Sequence, residues 1–275
     1  MSGVYDDPWA YELACSFRDV PAEVDVLLGW CAEQGLAPAT ALELAAGPAE
    51  HARELARRGL AATALDLNPR MCAYAAREAE RAGVGLEVVE GDMTRFALGR
   101  RFDLVATMLD STSHLMTLDA FVAHLRCAAA HLSPGGLYVV EMSHPRDRLG
   151  DDPSVTTGWT VERDGVRASV RWGEPSDRLD PVTQIADDRV TMTITGQGAE
   201  PRVVRDVVPY RFWTATELDA AIRLAGGLEA VAQYGDFGVG GGAGPPPPPP
   251  GPGAREETAP PPAGWGGAPP PPARP

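Results

Sequence analysis

From Thr40 to Met142 the chain alternates short apolar runs with longer segments of helical period, giving five strand and helix units in succession. A parallel strand is buried on both faces, so it reads as a continuous apolar run, and the connection to the next parallel strand is a helix. This alternation specifies a parallel sheet covered by helices. ATALEL (39–44), AATALD (61–66), LEVVEGD (86–92), FDLVATML (102–109) and GLYVVEM (136–142) read as the five strands. Between them, HARELARRG places Ala52, Leu55 and Ala56 on one helical face, and Asn68 and Pro69 are the N-cap and first residue of a helix through Met71, Ala75 and Ala79. Phe121, Val122, Leu125 and Leu132 face inward from a helix over 118–132, which Pro134, Gly135 and Gly136 stop.

After His144 the period changes to two in VRASVRW (166–172) and RVTMTIT (189–195), and VVRDVVPYRFW (203–213) follows as a third strand of an antiparallel insertion. Thr214 and Glu217 form a capping box for a helix that buries Leu218, Ile222 and Ala225 and ends at Gly226 and Gly227; LEAVAQYGDF (228–237) reads as a sixth core strand. Tyr11, Leu13, Phe17, Val24, Leu27 and Leu28 predict one or two helices packed ahead of the first strand. The expected class is α/β, a Rossmann-like doubly wound, mostly parallel sheet with an antiparallel β insertion and a disordered tail. Its parts are an N-terminal helical segment (1–38), the α/β core (39–145), the insertion on the substrate side (146–212), the last helix and strand of the core (213–240) and a proline- and glycine-rich tail (241–275). That tail holds 15 of the 27 prolines, six of them consecutive from Pro245 to Pro250, with too few apolar groups to fold alone.

The net charge of −14 sets 38 acidic residues against 24 basic ones, all arginine, and the tail is neutral. No basic stripe is available to displace counterions from phosphates, which argues against nucleic acid as a partner. The first residues, MSGVYDDPWAYEL, lack a basic region followed by an apolar stretch, and no 18 apolar residues run together; a soluble, cytoplasmic protein without membrane contact is expected. Cys15, Cys31, Cys72 and Cys127 form no CxxC pair and have no histidine at ligand spacing, so they read as reduced thiols, and no cluster speaks for a metal.

Ligands of an open parallel sheet bind beyond the carboxyl ends of its strands. After the first strand, Gly47 lets the backbone approach a ligand, and the next helix offers free amides. Asp66 ends the second strand, where a carboxylate can accept both hydroxyls of a ribose. Each residue alone is also an ordinary turn glycine or capping acid; together in one βαβ unit they favour a nucleoside site. The single glycine of ELAAGPAEHA falls short of the GxGxxG that a dinucleotide pyrophosphate wants.

ALELAAGPAEHARELA, followed by LDLNPRM, EGDMTRF, the FDLV strand and LSPGGLYVVE, resembles the ordered motifs of class I S-adenosylmethionine-dependent methyltransferases, over about residues 5 to 237. It is most similar to the small-molecule type with a β-stranded insertion before the last helix. The resemblance implies S-adenosyl-L-methionine as cofactor, with Glu43, Ala45 and Gly47 lining its methionine part. Asp66 would hold the ribose hydroxyls, and Asp92 with Met93 would bracket the adenine. Asp110 falls where the family meets the methionine end and the substrate. Ala46 and Ala49 stand in place of glycines of the fullest family pattern. The family usually ends in a seventh strand paired with the sixth; here the proline run follows instead, and the sixth strand is expected to lack that partner.

Methyl transfer needs the nucleophile in line with the methyl carbon, so positioning carries most of the catalysis. His114, four residues beyond Asp110, and His144 after the fifth strand are candidates for a base, or else loop residues hydrogen-bonded locally. Tyr11 is either a lid or a core anchor, Tyr210 and Arg211 either face the substrate or cover the sheet, and His124 and His131 read as exposed or half-buried. The expected activity is methyl transfer to an N or O nucleophile of a small-molecule acceptor. An NAD(P)-dependent oxidoreductase is the alternative; it would need a glycine phosphate loop and a Tyr and Lys pair, and the chain has no lysine. A non-catalytic protein that recruits partners through its polyproline tail is the third reading.

Overall fold

The computed structural model describes residues 3–143, 157–174, 176–196, 200–235 and 237. The chain divides into a unit from Met1 to Glu229 and a second from Ala230 to Pro275. In the first unit, β1 (Thr40–Leu44), β2 (Ala61–Asp66), β3 (Leu86–Glu90), β4 (Phe102–Thr107) and β5 (Leu132–Val140) form a parallel sheet in the order β3-β2-β1-β4-β5. The strand order therefore reverses between β1 and β4, which is where an open sheet leaves a crevice at its carboxyl edge.

The helices follow the capping chemistry of the sequence. α1 (Pro8–Cys15) is capped by Asp7 and α2 (Val20–Glu33) by Asp19. α3 (Glu50–Arg57) follows β1, and α4 (Pro69–Ala82) starts where the Asn68 side chain accepts the Arg70 amide and stops at Gly83 in the left-handed region. Thr117 caps α5 (Leu118–His131), and α6 (Ala215–Ala225) opens with the Thr214 and Glu217 capping box. Leu42, Leu44, Leu65 and Val105 from the sheet meet Ala128 of α5 in a core with no solvent contact at most positions.

A second sheet is antiparallel, in the order β6-β7-β8-β9, from β6 (Thr157–Arg163), β7 (Val166–Trp172), β8 (Ile185–Thr195) and β9 (Arg202–Arg211). It has one strand more than the alternation predicts. β6 pairs with β7 across the two-residue turn Asp164–Gly165, both residues at positive φ, the Asp-Gly hairpin that matches strand twist. Leu13, Ala14, Val170, Met192, Ile194 and Val208 share a separate core, so α1 packs on this second sheet, whereas α2 packs on the first. The front segment supplies two helices ahead of β1, as expected, and the two serve different sheets.

Two further readings change. Pro134, Gly135 and Gly136 do not separate α5 from a strand beginning at 136. β5 starts at Leu132, directly after the helix, and the register against β4 shifts between Phe102 and Leu104, so the three residues form an irregularity inside the strand. No strand forms over 228–235; Gln233 alone occupies an isolated bridge position. The tail from 238 onward lies outside the described residues. All four cysteines are unbridged. Among the described residues, no helix is long and apolar enough to cross a membrane, and no cluster of His, Cys, Asp and Glu is placed to hold a metal ion.

Candidate functional site

Two loops at the carboxyl ends of β1 and β4 define the site. The β1 loop alternates through the left-handed region, with Ala45 at φ 51°, Gly47 at 53° and Ala49 at 58°. Ala46 is not among the residues at positive φ, so Ala45 and Ala49, rather than the Ala46 and Ala49 expected from the pattern, occupy the conformations that favour glycine. The turn spends its own amides internally: Ala46 donates to the Leu65 carbonyl, Gly47 to Asp66 and Ala49 to the Ala46 carbonyl. A methyl group on Gly47 would meet nothing nearer than Tyr11 Cε1 at 4.0 Å, so the cradle is open toward that ring.

Asp66, at the end of β2, accepts the Gly47 amide on Oδ2 at 2.7 Å and the Asn68 amide on Oδ1 at 2.8 Å. Burial raises its pKa against the lowering pull of these two amides. Each carboxylate oxygen keeps a second acceptor site, enough for a pair of vicinal hydroxyls. Glu43 is buried; its Oε2 accepts the Ala52 amide at 2.7 Å in the first turn of α3, and its Oε1 lies 3.6 Å from His51 Nδ1. It therefore fixes the helix that follows the cradle. Asp92 accepts the Thr94 amide and hydroxyl on Oδ1 and pairs with Arg95; burial opposes ionisation, but these contacts hold its pKa down. Met93 packs between two core clusters, and its carbonyl receives His124 Nδ1 at 3.2 Å.

The β4 loop holds Leu109 and Asp110 at φ 53° and 55°, two consecutive non-glycine residues in the left-handed region. Local strain of this kind persists only where surrounding contacts enforce it. Here the Glu141 carboxylate takes the Leu109 amide at 2.8 Å, Ser143 Oγ donates to Asp110 Oδ2 at 2.5 Å, and the Tyr210 hydroxyl donates to the same oxygen. Burial raises the Asp110 pKa, partly offset by Ser143 and Tyr210.

His114 Nε2 lies 3.1 Å from the Tyr5 hydroxyl, and the ring also bonds the Pro209 carbonyl. That carbonyl can only accept, so a neutral ring donating to it presents its Nε2 lone pair to Tyr5. Desolvation lowers the His114 pKa, which keeps the ring neutral near pH 7. Tyr5 packs against Tyr11 with the rings tilted and their centroids 5.3 Å apart, its carbonyl accepts Asn68 Nδ2 at 2.9 Å, and burial raises its own pKa. One wall therefore runs from Asp66 through Asn68, Tyr5 and Tyr11 to His114.

The structure thus brings Ala45, Gly47, Asp66, Tyr11, Asp110, His114 and Tyr210 to the same edge of the sheet. Arg211 is otherwise engaged: it donates to the Met116 carbonyl, pairs with Glu217 and lies 3.9 Å over the Trp213 ring. His144 lies outside the described residues. His124 and His131, expected to be exposed or half-buried, are both buried: His124 joins Tyr138 at 2.6 Å, and His131 takes the Leu98 amide while bonding the Cys127 carbonyl. Tyr5, Ser143, Glu141 and His51 escape the sequence reading. The signal for Tyr5 was available as an aromatic beside the Asp-Pro helix start; the others declare themselves only through partners distant in the chain.

Residues 41–136 match the family described as "Methyltransferase domain". The chain is 29% identical over 194 residues to the dTDP-3-amino-3,4,6-trideoxy-alpha-D-glucopyranose N,N-dimethyltransferase of Streptomyces venezuelae, covering 67% of this chain and 73% of that protein. The crystal structure of Streptomyces venezuelae DesVI superposes with a TM-score of 0.69 at 22% identity, over 78% of this chain and 89% of that one. S-adenosylmethionine-bound CalS10, an amino pentose methyltransferase from Micromonospora echinaspora, superposes with a TM-score of 0.64 at 24% identity, over 78% and 87%. At these identities the two superpositions establish a common fold.

Proposed function

This chain is a class I S-adenosylmethionine-dependent methyltransferase with a small-molecule acceptor, and from that premise we propose that the acceptor is the amino group of a nucleotide-linked deoxyaminosugar, methylated twice. The observation that carries the proposal is the His114 ring, held by Tyr5 beside the Asp110 loop and neutral near pH 7. It agrees with the relative named as an N,N-dimethyltransferase of a dTDP-linked aminosugar.

The residues present fit the cofactor: an open left-handed cradle at Gly47 for the amino-acid end and a half-buried carboxylate at Asp66 for the ribose hydroxyls. Asp92 and Met93 would flank the adenine. When bound, S-adenosylmethionine supplies an electrophilic methyl group on a sulfonium. The remaining work belongs to the chain. The Tyr11 and Tyr5 rings exclude water, Asp110 and Tyr210 orient the acceptor, and His114 Nε2 holds a proton taken from it. A neutral amine attacks without a base, but its methylated product is a cation that must lose a proton before a second transfer. His114→Ala should therefore depress the second methylation more than the first.

The test is incubation with S-adenosylmethionine and a dTDP-linked amino-deoxysugar, following products by mass. Gains of one and then two methyl groups, with His114→Ala stalling after one, support the proposal. Transfer to a hydroxyl, or equal loss of both steps in the variant, overturns the amine and base assignments respectively.

A further inference from the structure

The Arg18 guanidinium is nearly closed off from solvent and makes two forked contacts. Nε and Nη2 bond both oxygens of Glu23 at 2.7 to 3.0 Å, while Nη1 and Nη2 bond Glu141 Oε1 and Oε2 at 2.8 and 3.1 Å. Glu141 Oε2 then takes the Leu109 amide at 2.8 Å. In the other direction Glu23 Oε2 receives His51 Nε2 at 2.8 Å, and His51 faces Glu43, which caps α3 behind the cofactor cradle. A chain of alternating charge, Glu43, His51, Glu23, Arg18 and Glu141, therefore crosses from the end of β1 and the start of α3 to the loop after β4.

Its far end grips the one residue whose amide precedes the strained Asp110. Arg18 and Glu141 both lie outside residues 41–136, the segment shared with the methyltransferase-domain family. A bidentate arginine fixes the plane of each carboxylate as well as its distance. That control is what an acceptor-aligning loop needs, since a misplacement of about 1 Å can cost about a hundredfold in rate.

We propose that Arg18 and Glu141 form a positioning clasp that holds the Leu109–Asp110 loop in the geometry for methyl transfer, so that the N-terminal segment sets acceptor alignment without touching the acceptor. The proposal rests on the methyltransferase activity but not on the identity of the acceptor.

Glu141→Gln keeps an oxygen that can accept the Leu109 amide and removes the charge; Arg18→Lys keeps the charge and removes the fork. Both variants of the full chain are compared with wild type by steady-state kinetics, calorimetric titration with S-adenosylmethionine and hydrogen exchange. The expected result is a fall in kcat of about tenfold with a raised acceptor KM. Cofactor affinity stays within about twofold, and the double variant is no worse than the poorer single one, as coupled partners require. Exchange at Leu109 accelerates while β1 and β2 stay protected. Unchanged kinetics in a folded variant, or cofactor affinity falling in step with kcat, overturns the clasp. Should Arg18→Lys fail to fold, Glu141→Gln decides alone. If wild type methylates no aminosugar, the proposed acceptor is wrong, and exchange still judges the clasp: unchanged exchange at Leu109 rejects it.

Discussion

Ala45 holds a left-handed conformation that costs a non-glycine residue about 1 to 2 kcal/mol, and its methyl group is only half-buried. Ala45→Gly removes that strain but frees the unfolded chain, at about 0.4 to 1 kcal/mol, so the variant should be more stable by about 0.5 kcal/mol. Ala46→Gly, which relieves no such strain, should lose about 0.5 to 1 kcal/mol; urea denaturation of the pair separates the two signs. Two buried histidines give opposite pH dependences. For His51, burial opposes the charge, but the Glu23 and Glu43 carboxylates raise its pKa to about 9 from 6.5. Its folded value lies above its unfolded one, so its stabilisation is complete below about pH 6.5 and is lost as pH rises through about 9. His124 is pushed down to about 4 by burial, so the unfolded chain binds the extra proton and stability falls as pH drops from about 6.5 toward 4. Melting temperatures across pH should show both limbs, and His51→Gln should flatten only the alkaline one. The contrast was hidden in the sequence: His51 and His124 are both helical histidines there, and only the carboxylates around the first and the Tyr138 hydroxyl and Met93 carbonyl around the second tell them apart.

At the scale of elements, β5 shows how a strand accommodates what looks like a stop signal. Gly136 sits where an added methyl would lie 3.0 to 3.1 Å from the carbonyl oxygens of Asp103, Ser133 and Phe102. Backbone oxygens cannot swing aside, so Gly136→Ala should destabilise by about 1 to 3 kcal/mol through overpacking at the β4 and β5 pairing. A Gly135→Ala control meets no atom within 4 Å but keeps φ at 77°, so it should cost about 1 to 2 kcal/mol through backbone strain alone. Thermal unfolding of the two variants, with exchange at Leu104 and Leu137, distinguishes a ladder defect from a local one. Strands β1, β2 and β4 were legible because burial on both faces leaves continuous apolar runs, and α4 and α6 because their caps are written in adjacent residues. β6 was not recognised although Asp164–Gly165 announces its turn, since TGWTVER spreads its apolar residues thinly on one face. LEAVAQYGDF has strand-like composition, but propensity is a weak prior when tertiary pairing decides. The site divides the same way. Gly47 and Asp66 are legible through their βαβ spacing, whereas Ser143 and Tyr210 meet Asp110 across 33 and 100 positions that no local pattern links.

In the whole molecule, α1 belongs by sequence to the front of the chain and by packing to the antiparallel sheet. Val4, Ala10, Leu13 and Ala14 lie in the same core as Ala168, Val170, Val190, Met192, Ile194 and Val208, and Trp159 Nε1 donates to the Ala14 carbonyl at 2.7 Å. The same segment sends Arg18 to Glu141, beyond β5, and Arg53 of α3 to Glu12 of α1. The second sheet therefore shares its apolar core with α1, and the front segment is tied to the rest of the unit by the charge pairs of Glu12 with Arg53 and Arg18 with Glu141. This arrangement predicts one cooperative unit for the residues up to Glu229. Leu13 is almost fully buried, and Leu13→Ala should cost about 2 to 5 kcal/mol, a large share of the about 5 to 15 kcal/mol that a domain commands. The loss should appear in both sheets together. Tryptophan emission, to which Trp159 and Trp172 beside this core contribute, and far-ultraviolet circular dichroism, which follows the whole backbone, should shift to the same lower urea midpoint with one coincident transition. Separation of the two curves, with emission changing first, would show instead that the antiparallel sheet and α1 unfold as an independent lobe, and the clasp through Arg18 would then be too weak to bind them to the methyltransferase core.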